Sequence, residues 1–162
     1  MKTILYLLTK TSSCRAALIL RLTLAIVFFP HGAQKILNYG WGRTISMYTL
    51  DMGIPLLFAF LALATEVFAP LALFVGFFTR IAAFAIGFEM LMAIKMVHFK
   101  NGFFMNWFGQ QSGEGYEYHL LIIGIALALI LTGGGRWSLD RKISKSLETL
   151  AAKNFLKFFI KF

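Results

Sequence analysis

The sequence predicts an all-α integral membrane protein: a four-helix bundle followed by a C-terminal amphipathic interfacial helix. Its 162 residues are 59% hydrophobic and only 14% charged, and the mean hydropathy is +0.74. A single small soluble domain cannot bury that much apolar surface. The apolar residues form four uninterrupted runs, whereas the strands of a membrane barrel would alternate apolar and polar residues. We therefore expect helices that cross a bilayer.

The four runs comprise residues 16–37, 54–78, 81–99 and 118–132. Three of them reach the roughly 20 residues that a helix needs to cross the hydrocarbon layer. The fourth is shorter, but Tyr116, Tyr118 and Trp137 flank it as interfacial anchors, which favours a short span over a re-entrant loop. No small-x-small cleavage pattern follows the first run, so we expect a retained helix and not a cleaved signal peptide.

The distribution of basic residues predicts the orientation of the chain in the membrane. An even number of spans puts both termini and the turn at Arg80 on one side, together with most of the cations. That side holds Lys2, Lys10, Arg15, Arg80, Arg136, Arg141, Lys142, Lys145, Lys153, Lys157 and Lys161, against Lys35, Arg43, Lys95 and Lys100 on the other. The positive-inside rule then places the termini in the cytoplasm. The net charge of +9 is explained by topology and anionic lipid, and not by nucleic acid.

Residues 141–162 are expected to form a unit separate from the membrane domain at 1–140. At 100° per residue the lysines of this segment gather on one side and its apolar residues on the other, which is typical of a helix lying in the interface. A docking site for a soluble protein partner is the alternative, and the outer loops could serve the same purpose.

Cys14 is the only cysteine, so a redox role would need an external electron carrier.

Five ionisable residues inside the predicted spans are the first candidates for function. An ionised carboxylate in hydrocarbon costs roughly 2.5 to 3.5 kcal/mol on insertion scales, so each needs a cation, a proton or water nearby. Counting about 1.5 Å per residue along each helix places the carboxylates of Glu66 and Glu89 near the middle of the bilayer. The cations Arg21 and Lys35 lie on one side of the first helix. We expect the guanidinium to meet one or both carboxylates, either as a structural brace or as a ligand or proton site. The set is Arg21, His31, Lys35, Glu66 and Glu89.

A second cluster is predicted at the outer ends of the helices, formed by Lys95, His98, Glu117 and His119. These residues lack a tight ligand pair such as His-x-x-x-His, so no metal site is predicted. On an ideal helix Glu89 and His98 point to opposite faces, so both can face the bundle only if the third helix is distorted. The loop at 100–115 mixes aromatic and amide side chains, which suits either a lid over this cluster or an interfacial anchor.

Several short motifs resemble those of the DoxX family of small bacterial membrane proteins. The resemblance covers roughly residues 15 to 140. It is carried by Leu20-Arg21-Leu22, by Phe28-Phe29-Pro30-His31-Gly32-Ala33-Gln34-Lys35, by Glu66-Val67-Phe68-Ala69-Pro70, by the segment from Gly76 to Ala83, by Glu117 with His119, and by Gly133-Gly134-Gly135-Arg136-Trp137-Ser138-Leu139-Asp140. On this alignment Arg21, His31, Lys35, Glu66 and Arg80 fall on characteristic positions of the family.

The resemblance implies a four-helix inner-membrane bundle associated with quinone-linked or thiol and oxidative-stress redox processes. Three functions follow as hypotheses. The chain could be a quinone-binding subunit of an oxidoreductase, with an apolar cavity that has polar groups at one end. It could be a non-catalytic assembly or anchoring protein whose polar residues only fix the packing. A carrier for a small solute is the third, although four helices enclose little lumen.

Overall fold

The computed structural model describes the backbone of residues 2–160 and the side chains of residues 2–152. This part of the chain is helical throughout, apart from turns and one longer connection between residues 101 and 117. The helices are α1 (Lys2–Thr9), α2 (Ala16–Gln34), α3 (Trp41–Ser46), α4 (Leu56–Val75), α5 (Thr79–Ala93), α6 (Glu117–Thr132) and α7 (Leu139–Ile160). Turns of π-helix extend three of them: Lys35–Tyr39 after α2, Met47–Asp51 after α3 and Ile94–His98 after α5.

The prediction of a helical membrane protein is confirmed. Three continuous helical stretches are long and apolar enough to cross a bilayer, namely Ala16–Tyr39, Leu56–Val75 and Thr79–Asn101. The fourth apolar helix, α6, has 16 residues and is the shortest of the set, as the sequence predicts. The second and third spans meet at Gly76, which adopts the left-handed conformation that ends α4.

The four apolar helices pack as a closed bundle in which α2 and α5 each lie between α4 and α6. Alanine is common where the helices meet, because small side chains let backbones approach closely in a membrane protein. The buried core comprises Ala17, Leu24, Ala25, Phe28, Ala69, Leu73, Ala82, Ala83, Ile86, Ile122, Ala126 and Leu129. We call the end of the bundle beside α1 and α7 the terminal end, and the opposite end, with α3 and the 101–117 connection, the loop end.

Polar contacts with backbone groups hold the terminal end together. The buried guanidinium of Arg21 donates to the carbonyl oxygens of Leu73 (3.3 Å), Phe74 (3.3 Å) and Trp137 (2.6 Å). Leu73 and Phe74 lie in the last turn of α4, and the Leu73 carbonyl also accepts a hydrogen bond from the Gly76 amide at 3.2 Å. The buried carboxylate of Asp140 accepts hydrogen bonds from two backbone amides at the start of α5, at 2.7 and 2.9 Å. The first turn of α7 is thereby fixed to the bundle.

Helices α1 and α7 pack against each other beside the bundle, and the Tyr6 hydroxyl donates to Oε1 of Glu148 at 3.0 Å. The sequence did not predict α1, which is only eight residues long. The predicted amphipathic pattern of the C-terminal segment falls partly on Lys153 and Lys157, whose side chains lie outside the described ones, and on Lys161, which lies outside the described residues. The interfacial placement of α7 therefore stays a prediction.

Candidate functional site

The loop end of the bundle contains a cavity of about 570 Å³. Helices α2, α4, α5 and α6 supply its walls, together with the π turn after α3, the residues that follow this turn, and two residues of the 101–117 connection. Most of the lining is aliphatic, aromatic or thioether in character. The polar side chains on its surface are His31, Lys35, Tyr48, Glu66, Glu89, His98, Glu114, Tyr118 and His119. Cavities with few polar groups in an apolar wall are typical of small-molecule sites.

A hydrogen-bonded ion pair lies at the centre of the cavity wall. Nζ of Lys35 bonds to Oε1 of Glu66, and it also donates to the hydroxyl oxygen of Tyr48 at 2.6 Å. The Tyr48 hydroxyl donates in turn to Oε2 of Glu66 at 3.2 Å. Burial raises the pKa of Tyr48, so the phenol stays protonated and remains a donor. The three side chains form one closed polar network, contributed by the end of α2, the α3 segment and the middle of α4.

The ends of α2 and α3 have shapes that bring this network together. Lys35 begins a π turn at the end of α2, and its carbonyl oxygen accepts a hydrogen bond from the Thr44 hydroxyl at 3.0 Å. That bond ties α3 back against α2, and Tyr48 follows one turn later with only 7% of its surface exposed. The short α3 segment therefore positions the Tyr48 side chain inside the bundle.

Glu89 approaches the same network from α5. Its carboxyl group interacts electrostatically with both Glu66 and Lys35. Its Oε2 atom is buried. Two neighbouring carboxyl groups that share one cation favour retention of a proton between them. Glu89 therefore lies beside the ion pair in the cavity lining.

Methionines make up an unusual share of the apolar lining. Six of the seven methionines in the chain line the cavity: Met47, Met52, Met90, Met92, Met96 and Met105. Thioether side chains are flexible and polarizable, and they form favourable contacts with aromatic rings. Met92 and Met96 are also exposed on the outside of the bundle, so the cavity reaches the surface between helices. This lining suits a flat aromatic ligand that enters from the lipid.

Two histidines close the part of the cavity nearest the loop end. The rings of His98 and His119 lie with their centroids 4.1 Å apart. His98 Nδ1 donates to the carbonyl oxygen of Glu114 at 2.8 Å, since a carbonyl can only accept. The π turn at Ile94–His98 removes the geometric objection raised by the sequence, because one extra residue in a helical turn rotates later side chains by about 100°. Glu89 and His98 therefore line one cavity.

The predicted pairing of Arg21 with a mid-depth carboxylate is wrong. Arg21 bonds to backbone carbonyls at the terminal end, and the cation beside Glu66 and Glu89 is Lys35. The last carbonyls of α4 lie beside Arg21 and attract a cation, because the C-terminus of a helix carries partial negative charge. The carboxylates do turn inward as expected, but they meet the other cation of the α2 stripe.

The predicted outer cluster is only partly assembled. His98 and His119 come together, whereas Lys95 is exposed and does not line the cavity. Oε2 of Glu117 accepts a hydrogen bond from the backbone amide of Met105 at 3.3 Å and so fixes the 101–117 connection. His31 lines the cavity from an exposed position. Within the described part of the chain, no three His, Cys, Asp or Glu side chains are grouped as metal ligands.

Tyr48 and the methionine lining are the features of the site that sequence reasoning missed. Nothing in the local sequence of Tyr48 shows that α3 folds back on α2. The methionines carried a usable signal: apart from Met1, they all fall between residues 47 and 105. A concentration of this kind in a membrane protein is a reason to look for an adaptable ligand pocket.

Gly32 provides a direct test of how closely α2 and α4 must approach at the site. A β-carbon at Gly32 would lie 2.3 Å from the carbonyl oxygen of Glu66. We expect Gly32→Ala to force the helices apart and to lower the free energy of unfolding by about 1–3 kcal/mol. Unfolding in mixed detergent micelles measures the loss. Gly124→Ala is the control, because its added β-carbon meets nothing within 4 Å. Equal stability of the two variants would contradict the close approach.

The sequence profile of the DoxX family matches residues 16–99. This chain belongs to the DoxX family. The matched region contains three of the four helices of the bundle and, from the site, Lys35, Tyr48, Glu66, Glu89 and His98. The α6 contribution, including His119, lies outside the matched region of this DoxX chain.

Curated relatives cover most of this DoxX chain. The Escherichia coli (strain K12) "Inner membrane protein YqjF" is 31% identical over 79% of this chain and 92% of its own length. "Inner membrane protein YphA" of the same organism is 30% identical over 77% of this chain and 88% of its own length. "Putative oxidoreductase CatD" of Bacillus subtilis (strain 168) is 31% identical over 79% and 87%. No solved structure matches the chain. With the apolar helices, these relatives support a location in the bacterial inner membrane.

Proposed function

We propose that this DoxX chain binds a quinone or quinol in the loop-end cavity and acts as a small subunit or accessory protein of a membrane redox system. The observation that carries the proposal is the cavity itself: about 570 Å³ of largely apolar space with the Lys35–Tyr48–Glu66 network and Glu89 in its wall. A ring with oxygen substituents combines the same two properties. Its apolar body suits the methionine lining, and its oxygen atoms suit the polar wall.

The polar residues suit the proton chemistry that accompanies quinone reduction or quinol oxidation. Lys35 and Tyr48 are donors that can hold an oxygen atom carrying partial negative charge. Glu89, beside Glu66, can give up or accept a proton. The electrons must come from or pass to an external carrier, because Cys14 alone cannot form a redox pair within the chain. A relative named as an oxidoreductase supports this assignment.

The membrane topology is part of the proposal. The bias of basic residues toward the terminal end supports cytoplasmic termini, four crossings and a cavity that faces the outer side. Residues 1–140 then form the membrane domain, and residues 141–162 form a basic helix at the cytoplasmic surface. Lipid is the immediate partner of the exposed apolar helix faces.

Extraction of bound molecules tests the assignment. The full chain, purified from membranes in mild detergent, should release quinone that mass spectrometry identifies. We expect Glu66→Gln to lower the retained quinone about tenfold, because the amide cannot keep both the ion pair and the Tyr48 bond. Glu148→Gln is the matched control, since Glu148 is exposed on α7. Recovery of phospholipid alone from both proteins would contradict the assignment.

A non-catalytic anchoring role is the second candidate, and the α1–α7 pair favours it. This pair lies outside the bundle, and most of the described α7 side chains beyond Ser144 are exposed. Such a surface could hold a soluble protein at the membrane. Crosslinking from Lys145 in native membranes should trap one defined partner under this reading. If crosslinking traps no partner and the purified protein still retains quinone, the result would favour the redox role.

A further inference from the structure

The 101–117 connection presents different side chains to the cavity and to its surroundings. Met105 and Glu114 line the cavity. Four aromatic side chains are exposed instead: Phe103, Phe104, Trp107 and Phe108. Trp107 is 77% exposed and Phe108 is 88% exposed, and no other large hydrophobic side chain among the described residues is as exposed as Phe108. Exposed apolar surface of this kind marks an interaction site.

The tip of the connection is a turn closed by hydrogen bonds. The Asn106 side chain donates to the carbonyl oxygen of Gln111 at 3.2 Å and accepts a hydrogen bond from the Gln111 amide at 3.0 Å. The backbone amide of Asn106 also donates to Oε2 of Glu114 at 2.8 Å. Trp107 and Phe108 follow Asn106 directly and lie at the tip of this turn. Because the turn is already shaped by these bonds, moving the two aromatic rings into a membrane costs little backbone freedom.

Ring contacts join the connection to a membrane-spanning helix. Phe99, in the last turn of the third span, stacks on Tyr116 with ring centroids 6.0 Å apart. Tyr116 contacts Phe103 edge-to-face at a centroid distance of 5.5 Å, and Phe103 contacts Phe104 in the same way at 5.1 Å. Phe99 is itself exposed. The exposed aromatic surface therefore continues from the outside of a span onto the connection, which favours lipid as its partner.

The length of α6 sets the depth of this surface in the proposed topology. With 16 residues at 1.5 Å each, α6 is about 24 Å long, whereas the hydrocarbon layer is about 30 Å thick. Hydrocarbon is therefore expected to extend beyond an end of this helix. At the loop end, the amides of Tyr116 and Glu117 donate to the carbonyl oxygens of Gly102 (3.2 Å) and Phe103 (2.9 Å). These bonds hold the base of the connection level with the start of α6, at the boundary between hydrocarbon and headgroups.

The tip of the connection is uncharged. Residues 102–113 contain no acidic or basic side chain. A tryptophan ring is favoured at the membrane boundary, because its apolar body and its polar N–H group are both satisfied there. Insertion of this tip should therefore depend on its aromatic rings and not on the charge of the lipid.

We propose that the 101–117 connection is a membrane anchor, and that its Trp107–Phe108 tip inserts into the headgroup layer of the leaflet at the loop end. This inference rests on the topology in the proposed function, but not on the identity of the cavity ligand. Because Met105 and Glu114 of the same connection line the cavity, the anchor lies directly beside the proposed ligand site.

The fluorescence of Trp107 tests the anchor. The test protein is the full chain with Trp41→Phe and Trp137→Phe, so that Trp107 is its only tryptophan. It is reconstituted in phosphatidylcholine nanodiscs in which part of the lipid carries a spin label, either in the headgroup or near the end of the acyl chain. We expect the headgroup label to reduce Trp107 emission about twofold, because the indole ring lies among the headgroups. The chain-end label should quench less, and acrylamide in the water should quench Trp107 much less than it quenches free N-acetyltryptophanamide.

Two further comparisons check the cause of insertion. Phe108→Ser in this protein should weaken quenching by the headgroup label, because it removes an apolar ring from the tip. Gln110→Ser is the matched control, since Gln110 lies in the same turn, is exposed and carries no ring. Replacing part of the phosphatidylcholine by phosphatidylglycerol should leave the quenching of Trp107 unchanged.

Three results would overturn the anchor. The first is quenching by acrylamide as strong as that of N-acetyltryptophanamide without quenching by either spin label, which would leave the surface open to a protein partner. The second is stronger quenching by the chain-end label than by the headgroup label, and the third is quenching that requires anionic lipid. Each of them leaves the proposed quinone role standing, because ligand extraction measures that role separately. Absence of quinone would likewise leave the anchor standing.

Discussion

The Arg21→Met variant should lose about 3–5 kcal/mol of unfolding free energy, the largest stability effect expected from any single substitution in this chain. Only 2% of the Arg21 surface is exposed. Its guanidinium satisfies three carbonyl oxygens, at Leu73, Phe74 and Trp137, and it attracts the buried carboxylate of Asp140. Methionine fills a similar volume but removes the three hydrogen bonds to these carbonyls and leaves the carboxylate without a cation.

Reversible unfolding in mixed detergent micelles measures this loss. Arg15→Met is the matched control, because Arg15 is exposed one and a half turns earlier in the chain and should change stability by less than about 0.5 kcal/mol. Arg21→Lys should fall between the two, since an ammonium group keeps the charge but cannot reach three carbonyls in a fixed fork. A loss in Arg21→Met as small as that of Arg15→Met would show that the terminal end does not depend on this side chain.

The architecture was predictable because it follows from the composition of long segments. Four apolar runs of adequate length have few alternatives to a helical bundle in a membrane. The short helices α1 and α3 were not predictable in the same way. With eight and six residues, they are too short to be stable alone, and packing against α7 and α2 is what holds them. Such packing leaves no periodic pattern in the sequence.

The sequence identified the ionisable residues of the site, but it did not predict which of them pair with each other. Counting residues along ideal helices placed Glu66 and Glu89 inside the bundle, as the structure does. The same counting could not choose between Arg21 and Lys35 as their cation, because both lie on one stripe of α2. The choice depends on competing partners: the carbonyls in the last turn of α4 bind Arg21, and Lys35 lies near the carboxylates.

The π turns account for most of the features of the site that the sequence did not predict. Each inserts one residue into a helical turn and so changes which face later side chains occupy. The turn at Ile94–His98 brings His98 into the cavity, and the turn at Lys35–Tyr39 begins with the lysine of the ion pair. Such turns differ little in energy from α-helix and depend on tertiary contacts. No local residue pattern in this chain identifies them.

Breaking the Lys35–Glu66 pair is the second large effect. We expect Lys35→Met to lower the unfolding free energy by about 3 kcal/mol, because it leaves the Glu66 carboxylate, beside Glu89, without a cation. Glu66→Gln should cost less, since the amide can still bond to Tyr48. The double variant should be more stable than Lys35→Met alone, because removing the carboxylate removes the uncompensated charge.

Unfolding of the four proteins of this cycle in mixed micelles gives the coupling energy, with Lys95→Met as the control for loss of an exposed lysine near the loop end. A coupling energy near zero would mean that the network does not act as a unit.

A large coupling energy has a further consequence for the cavity. A ligand oxygen that binds Lys35 must compete with Glu66 and Glu89 for the ammonium group. The Lys35–Glu66 ion pair would then stabilise the empty cavity, and Lys35 would exchange part of its bonding to Glu66 for a bond to the ligand.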